Sequence, residues 1–196
     1  MKTILITGST DGIGKETAKL LASQGHLILL HGRSAEKLAS VKSEFEGMGA
    51  KVETYLADLS NLDDVKNLAT QVGNKHKKLD VLINNAGVFK VPESTTKYGV
   101  DVRFVVNTIA PYILTQELMG VMDGASRVIN LSSAAQATVD LNALSGQQIE
   151  HSDMDFYSQS KLAITMWSRD MAAKMQNKGP VVIAVNPGSM LSTNMV

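Results

Sequence analysis

Six short, near-continuous apolar runs recur along the chain: Thr3–Thr7, Leu27–Leu30, Lys51–Leu56, Val81–Asn84, Arg127–Leu131 and Val181–Val185. Runs of this length and character predict strands covered on both faces, as in a parallel sheet. Longer stretches with helical periodicity lie between them. Ile13–Ser23 follows a glycine turn, and Ser34–Gly47 opens on an N-cap residue and closes on glycine. Asn61–Lys75 opens on Asn61 and carries Asp63 and Asp64 in its first turn, where the helix dipole favours acids. Thr95–Met119 and Met154–Lys174 are longer, and Pro111 predicts a kink or break inside the former. Strands alternating with helices predict an α/β fold, a doubly wound parallel sheet in three αβα layers. The expected strand order is 3-2-1-4-5-6, with a site outside the carboxyl ends of the strands.

Composition narrows the field. A chain of 196 residues supports one sizeable core, so a single domain over 1–196 is expected. Nineteen Lys+Arg balance nineteen Asp+Glu, which leaves no basic footprint for nucleic acid. The run Lys75-His76-Lys77-Lys78 reads as a solvated helix end. There is no cysteine, so disulfides and thiolate chemistry are excluded. The apolar stretch at Met1–Thr7 is too short for a signal peptide or a membrane span, and a cytoplasmic protein is expected. His26, His31, His76 and His151 form no ligand-spaced cluster, so no metal is expected. Met166, Met171 and Met175 read as core filler and Trp167 as a packing residue.

Thr7-Gly8-Ser9-Thr10-Asp11-Gly12-Ile13-Gly14 joins the first strand to the first helix. Gly8 allows a sharp turn, Gly12 a close approach of a pyrophosphate to the backbone, and Gly14 tight helix–strand packing. The helix N-terminus would offer N–H groups to the phosphates. A purely structural tight turn is the other reading of these glycines. The second strand ends at His31-Gly32-Arg33, with no acid there to bind ribose hydroxyls as an NAD site requires. Arg33 suits the 2′-phosphate of NADP(H), and Lys15 would add charge; two surface cations is the other reading. Asp11 lies close to the phosphates and works against that preference, so NAD(H) stays possible. Asp58 is placed either to accept from an adenine amino group or to cap the next helix.

Tyr157 and Lys161 are four apart on a predicted helix and share one face. A free phenol, with a pKa near ~10, is a poor acid–base catalyst at neutral pH, and a neighbouring ammonium favours its phenolate. Alone, this pair is common on surface helices. Its company is more specific: Thr7-Gly8-x-x-x-Gly12-x-Gly14, Asp58, Asn84-Asn85-Ala86-Gly87, Asn107, Asn130-Leu131-Ser132-Ser133, Tyr157-x-x-x-Lys161 and Pro187-Gly188. In this order, and over nearly the whole chain, these stretches resemble the short-chain dehydrogenase/reductase family, whose members have Rossmann-type folds.

The resemblance implies an NADP(H)-dependent oxidoreductase that interconverts a carbonyl and an alcohol by hydride transfer. Tyr157 would be the general acid–base, Lys161 would lower its pKa, Ser133 would hold the substrate oxygen, and Asn107 would hold a relay water. Ser132 would face the cofactor. Gly8, Ser9, Thr10, Gly12, Ile13, Gly14, Arg33, Asp58, Leu59, Asn85, Ala86, Gly87, Tyr157, Lys161, Pro187, Gly188 and Thr193 would line the cofactor, with Asn84 on its adenosine side. The segment from Val139 to Asp153 resembles an insert of retinol-dehydrogenase-like members, which implies a lipophilic substrate. Paired helices in the family imply a homodimer. Typical members carry a lid and a seventh strand after the sixth, and neither is expected in a chain ending at Val196. A non-catalytic dinucleotide-binding sensor or scaffold is the alternative reading.

Overall fold

The computed structural model describes residues 1–147, 149–175 and 178–188. Its strands are β1 (Thr3–Ile6), β2 (Leu27–Gly32), β3 (Lys51–Leu56), β4 (Val81–Asn84), β5 (Arg127–Leu131) and β6 (Val181–Val185). All pair in parallel in one sheet of order β3-β2-β1-β4-β5-β6, as the sequence pattern predicts.

Alternate residues of the inner strands feed two apolar layers, whereas Val181, Ile183 and Val185 leave one face of β6 exposed, against the expectation of strands covered on both faces. Ile4, Ile6, Ile28, Leu30 and Ile83 pack with Ala18 and Ala22 of α1 (Gly12–Ser23) and Leu38, Val41 and Phe45 of α2 (Ala35–Gly47). Leu5, Leu29, Leu82, Val128 and Val182 face the other way. They meet α3 (Leu62–Lys75), α5 (Ala110–Leu118) and α7 (Asp153–Met175) through Leu68, Val72, Leu114 and Met171. Each fully buried Leu or Ile in such a layer contributes about 1.5–3 kcal/mol before entropy is counted. Because every strand runs the same way, Thr7, Gly32, Asn84, Leu131 and Val185 bring their following loops to one edge of the sheet.

Local chemistry sets the helix starts. Ser34 accepts the Lys37 N–H at 3.2 Å, and Asn61 accepts that of Asp63 at 3.2 Å. The long helix expected from Thr95 begins later. Gly99, at φ 73°, turns the chain, Thr95 bridges to Asp101, and Asp101 caps α4 (Val102–Phe104). A π-helical turn, Val105–Ile109, follows α4, and Pro111 is the second residue of α5. The break that Pro111 predicts is therefore this π turn just before it.

Three smaller expectations fail. Met166 is exposed, while Met171 is buried and Met175 and Trp167 pack at the core's edge. The basic run after α3 is more than a solvated end: His76 Nε2 lies 2.9 Å and Lys75 Nζ 3.0 Å from the Glu53 carboxylate, and Lys78 pairs with Asp123 at 2.8 Å. Lys15 does not add charge to the glycine turn, because it pairs with Glu44 at 2.7 Å. Among the described residues, no helix is long and apolar enough to cross a membrane, and no metal-holding cluster occurs.

Candidate active site

The glycine turn is built from backbone and braced from below. Gly8 and Gly12 have φ of 65° and 51°, a region that disfavours side chains. A Cβ on Gly14 would lie 2.2 Å from the Gly8 carbonyl oxygen and 2.4 Å from Asn85 Nδ2, so only glycine fits. Asn85 Nδ2 donates to the carbonyls of Thr7 (2.8 Å) and Gly8 (3.0 Å). Thr7 Oγ1 accepts the N–H groups of Asn85 and Ala86, both at 3.0 Å. Asn85 thus acts on the turn itself, with half-buried Ala86 and Gly87 beside it.

His31, buried at the end of β2, lies beneath this turn. Its Nδ1 accepts the Gly8 N–H at 3.1 Å, and Nε2 lies 3.2 Å from the Ala57 carbonyl. This pairing requires the neutral ring with its proton on Nε2. Desolvation lowers the His31 pKa to about 4, against smaller upward pulls from Ala57 and Asp58. Ser9, expected at the cofactor, turns its hydroxyl inward instead, where it accepts the His31 N–H at 2.9 Å. Thr10 packs over Gly32, and Ile13 is half-buried in the first turn of α1.

Arg33 is exposed and makes no ion pair among the described residues. Asp11 caps α1, accepting the Gly12 N–H at 2.8 Å, and Lys37 Nζ sits 3.8 Å from its carboxylate. Lys37 thus faces the acid that seemed to oppose a phosphate, a pairing across two helices that sequence spacing does not show. Asp58 Oδ1 accepts from both the N–H and hydroxyl of Ser60, at 2.9 and 2.8 Å, in the turn ahead of α3; it does not cap that helix, whose cap is Asn61. Leu59 and Asn84 are buried. Leu59 joins the core, so only its backbone can face a ligand. Asn84 Nδ2 donates to Asn130 Oδ1 at 2.7 Å, tying β4 to β5 rather than meeting an adenosine.

At the other end, α7 carries Tyr157 and Lys161. Lys161 is 4% exposed, and its Nζ donates to the Leu131 carbonyl at 2.8 Å. The ammonium lies 5.7 Å from the Tyr157 ring centre. Burial pulls its pKa down to about 8, so it remains a cation at neutral pH. Tyr157 is half-buried, its ring edge-to-face with Phe89 at 5.1 Å.

The two serines after β5 divide as their alternation requires. Ser132 is buried, donating to the Lys161 carbonyl at 3.0 Å and lying 2.7 Å from Thr165 Oγ1, so it fastens β5 to α7 and does not face a cofactor. Ser133 is half-buried, and its hydroxyl oxygen accepts the Ala135 N–H at 3.1 Å. Asn107 has its side chain committed. Oδ1 accepts the Val88 N–H at 2.8 Å, and Nδ2 donates to Val88 O and Ser160 Oγ, both at 3.0 Å. Pro111, four residues on, has no N–H to return to the Asn107 carbonyl, the bond an uninterrupted helix would make. Pro187 and Gly188 are exposed just past β6, and Thr193 lies outside the described residues.

The profile described as "short chain dehydrogenase" matches residues 2–196. The chain belongs to the short-chain dehydrogenase family. It is similar to human retinol dehydrogenase 13, 34% identical over 193 residues, covering 95% of this chain and 58% of that protein. Mouse retinol dehydrogenase 12 is 35% identical over 197 residues, covering 97% and 62%. The chain thus spans less than two thirds of these relatives. A metagenomic short-chain oxidoreductase solved in complex with NADP is 30% identical, with a TM-score of 0.76 over 96% of this chain and 83% of that one. The chain therefore carries the Rossmann-type fold of this family, with the sheet order read from its sequence.

Proposed function

We propose that the chain is an NADP(H)-dependent oxidoreductase interconverting a lipophilic ketone or aldehyde and its alcohol. The observation that carries this reading is the buried Lys161 ammonium, held between the Leu131 carbonyl and the Tyr157 ring. Desolvating a cation opposes folding, and Lys161 places its charge next to the Tyr157 ring, where it favours the phenolate that acid–base chemistry needs and that a sensor has no use for.

The residues present fit the dinucleotide. The Gly8–Gly14 cradle exposes the N-terminus of α1, and the unpaired Arg33 guanidinium stands at the end of β2, where a 2′-phosphate would lie. Tyr157, Lys161, Pro187 and Gly188 would border the nicotinamide half. A bound nicotinamide supplies or accepts the hydride. In reduction, the Tyr157 hydroxyl gives its proton to the substrate oxygen; in oxidation the phenolate takes it back. Lys161 stabilises that phenolate by charge. The Ser133 O–H, whose oxygen alone is engaged, donates to the substrate oxygen as negative charge develops. The proton is replaced from solvent through a water on the Asn107 main-chain carbonyl, since the side-chain amide is committed. NADP in the similar solved complex and retinol in the names of the similar enzymes support the cofactor and the lipophilic class.

The test is calorimetric titration of NADPH and NADH, followed by NADPH oxidation with long-chain aldehydes. The reading expects tighter NADPH binding, and turnover that falls about 10²- to 10⁴-fold in Tyr157→Phe with NADPH affinity intact. Unchanged turnover in that variant overturns the assignment of Tyr157, and turnover absent from the parent chain favours the sensor.

A further inference from the structure

Arg103 lies outside the motifs read from the sequence, yet it is among the largest fully buried side chains, at 1% exposure. It sits in α4, one turn before the π segment that carries Asn107. Its guanidinium ties the cap of its own helix to two distant pieces of chain. Nε donates to the Phe89 carbonyl at 2.6 Å, in the loop after β4. One terminal nitrogen donates to Asp101 Oδ2 at 2.8 Å, and the other to Asp153, the first residue of α7. The plane also stands 5.9 Å from the Phe156 ring, the neighbour of Tyr157.

Two of these attachments converge on one side chain. Phe89, whose backbone Arg103 holds, packs its ring edge-to-face against Tyr157 at 5.1 Å. Asp153 begins the helix from which Tyr157 projects one turn later. The Tyr157 ring is thus bounded by a loop and a helix end that are both fastened to the same guanidinium. A buried Arg is costly to desolvate unless its donors are met, and here the fork meets acceptors in the loop after β4, at the cap of its own helix and at the start of α7.

We infer that Arg103 is a positioning residue for the reaction: through Phe89 and the first turn of α7 it fixes where the Tyr157 hydroxyl points. The inference rests on the reading of Tyr157 as the acid–base group. Lysine retains the charge but is a single point donor and cannot span three acceptors in a plane.

The test uses the whole chain with ¹³C-labelled tyrosine. There are four tyrosines, and Tyr157→Phe identifies the Tyr157 ring signal. Arg103→Lys and Phe89→Leu are each expected to move that signal and leave the Tyr55 signal in place. Where aldehyde turnover is present, each lowers kcat about 10- to 100-fold with NADPH affinity within about twofold. The double variant should lose little more than either single one, because both act on one ring. Asp153→Asn, at a partly exposed position, gives a third variant that folds even if Arg103→Lys does not, and it should shift the same signal. An unmoved Tyr157 signal in these variants overturns the inference. So does a moved signal with kcat unchanged, or fully additive losses in the double variant. If the parent chain turns over no carbonyl, the functional proposal fails, and the ring signal still decides whether Arg103 sets Tyr157.

Discussion

Two buried bases sit at opposite ends of this site, and burial lowers the pKa of both. His31, under the glycine turn, falls to about 4 and is neutral near pH 7. Lys161, beside Tyr157, falls to about 8 and keeps its charge. The same desolvation therefore yields two different devices. At the phosphate end a neutral ring serves as a fixed acceptor and donor between Gly8 and Ala57, and any added positive charge is left to the exposed Arg33. At the chemical end the charge itself is retained in a low-dielectric place beside a phenol, where it acts most strongly. One end of the site depends on shape, the other on an ion.

Lys161→Met gives the largest effect and separates the two kinds of end. Removing the ammonium should lower kcat about 100-fold or more, since Tyr157 loses the charge that favours its phenolate. Stability should move the opposite way. In the parent chain, the unfolded lysine binds a proton that the folded one releases between about pH 8 and 10.5. Folding stability from this group therefore rises with pH across that window, and at neutral pH the buried cation costs up to about 3 kcal/mol. Met removes that cost, so thermal unfolding at pH 7 should occur at a higher temperature in a chain that no longer turns over. A lower unfolding temperature would mean that the Leu131 contact outweighs desolvation, and the contrast between the two ends would fail.

The second test addresses His31. Its folded pKa lies below the ordinary 6.5, so the unfolded chain binds the extra proton between about pH 6.5 and 4. The stability tied to the neutral ring is full above pH 6.5 and is lost as pH falls through 4, by up to about 3 kcal/mol. Protonation would place an N–H against the Gly8 N–H, so the glycine turn should be the part that gives way. His31→Asn keeps an acceptor for Gly8 without a titrating ring. Denaturant unfolding across pH 4–7 should then show a shallower acid limb than the parent. An unchanged limb would assign acid sensitivity to carboxylates elsewhere.

Legibility differs between the ends for a physical reason. The glycine turn and the Tyr157–Lys161 face follow from local spacing, the strand order follows from the alternation of strands and helices, and the structure shows each. The supports do not follow from spacing. Arg103 meets Asp153 and Phe89 across the fold, Lys37 meets Asp11 between helices, and His31 meets Gly8 across two strands. Each partner is distant in sequence, and nothing in the period of the pattern marks it. The same holds for Ser9 and Asn84, both expected near a cofactor: Ser9 in the turn bonds the His31 backbone and Asn84 in β4 bonds Asn130, so both side chains are held inward. The start of the long helix was displaced to Val102 because Gly99 and Asp101 supply a turn and a cap that outweigh helical periodicity over Thr95–Val100.

Arg33→Ala is the mildest test and bears on the shape-dependent end alone. The side chain is exposed and makes no ion pair among the described residues, so the unfolding temperature should stay within experimental error. NADPH affinity should fall about tenfold while NADH affinity stays, because only the former carries a 2′-phosphate for the guanidinium fork. Raising the salt should erode the preference of the parent chain toward that of the variant, since an exposed pair is screened within about 10 Å at 0.1 M. Should Arg33→Ala leave the ratio of the two affinities untouched, Lys37 becomes the residue to test. It lies in the first turn of α2, and its pairing with Asp11 is loose enough, at 3.8 Å, to be exchanged for a phosphate. Discrimination would then come from a cation that its own chain partly neutralises, and Lys37→Ala in place of Arg33→Ala should collapse the preference.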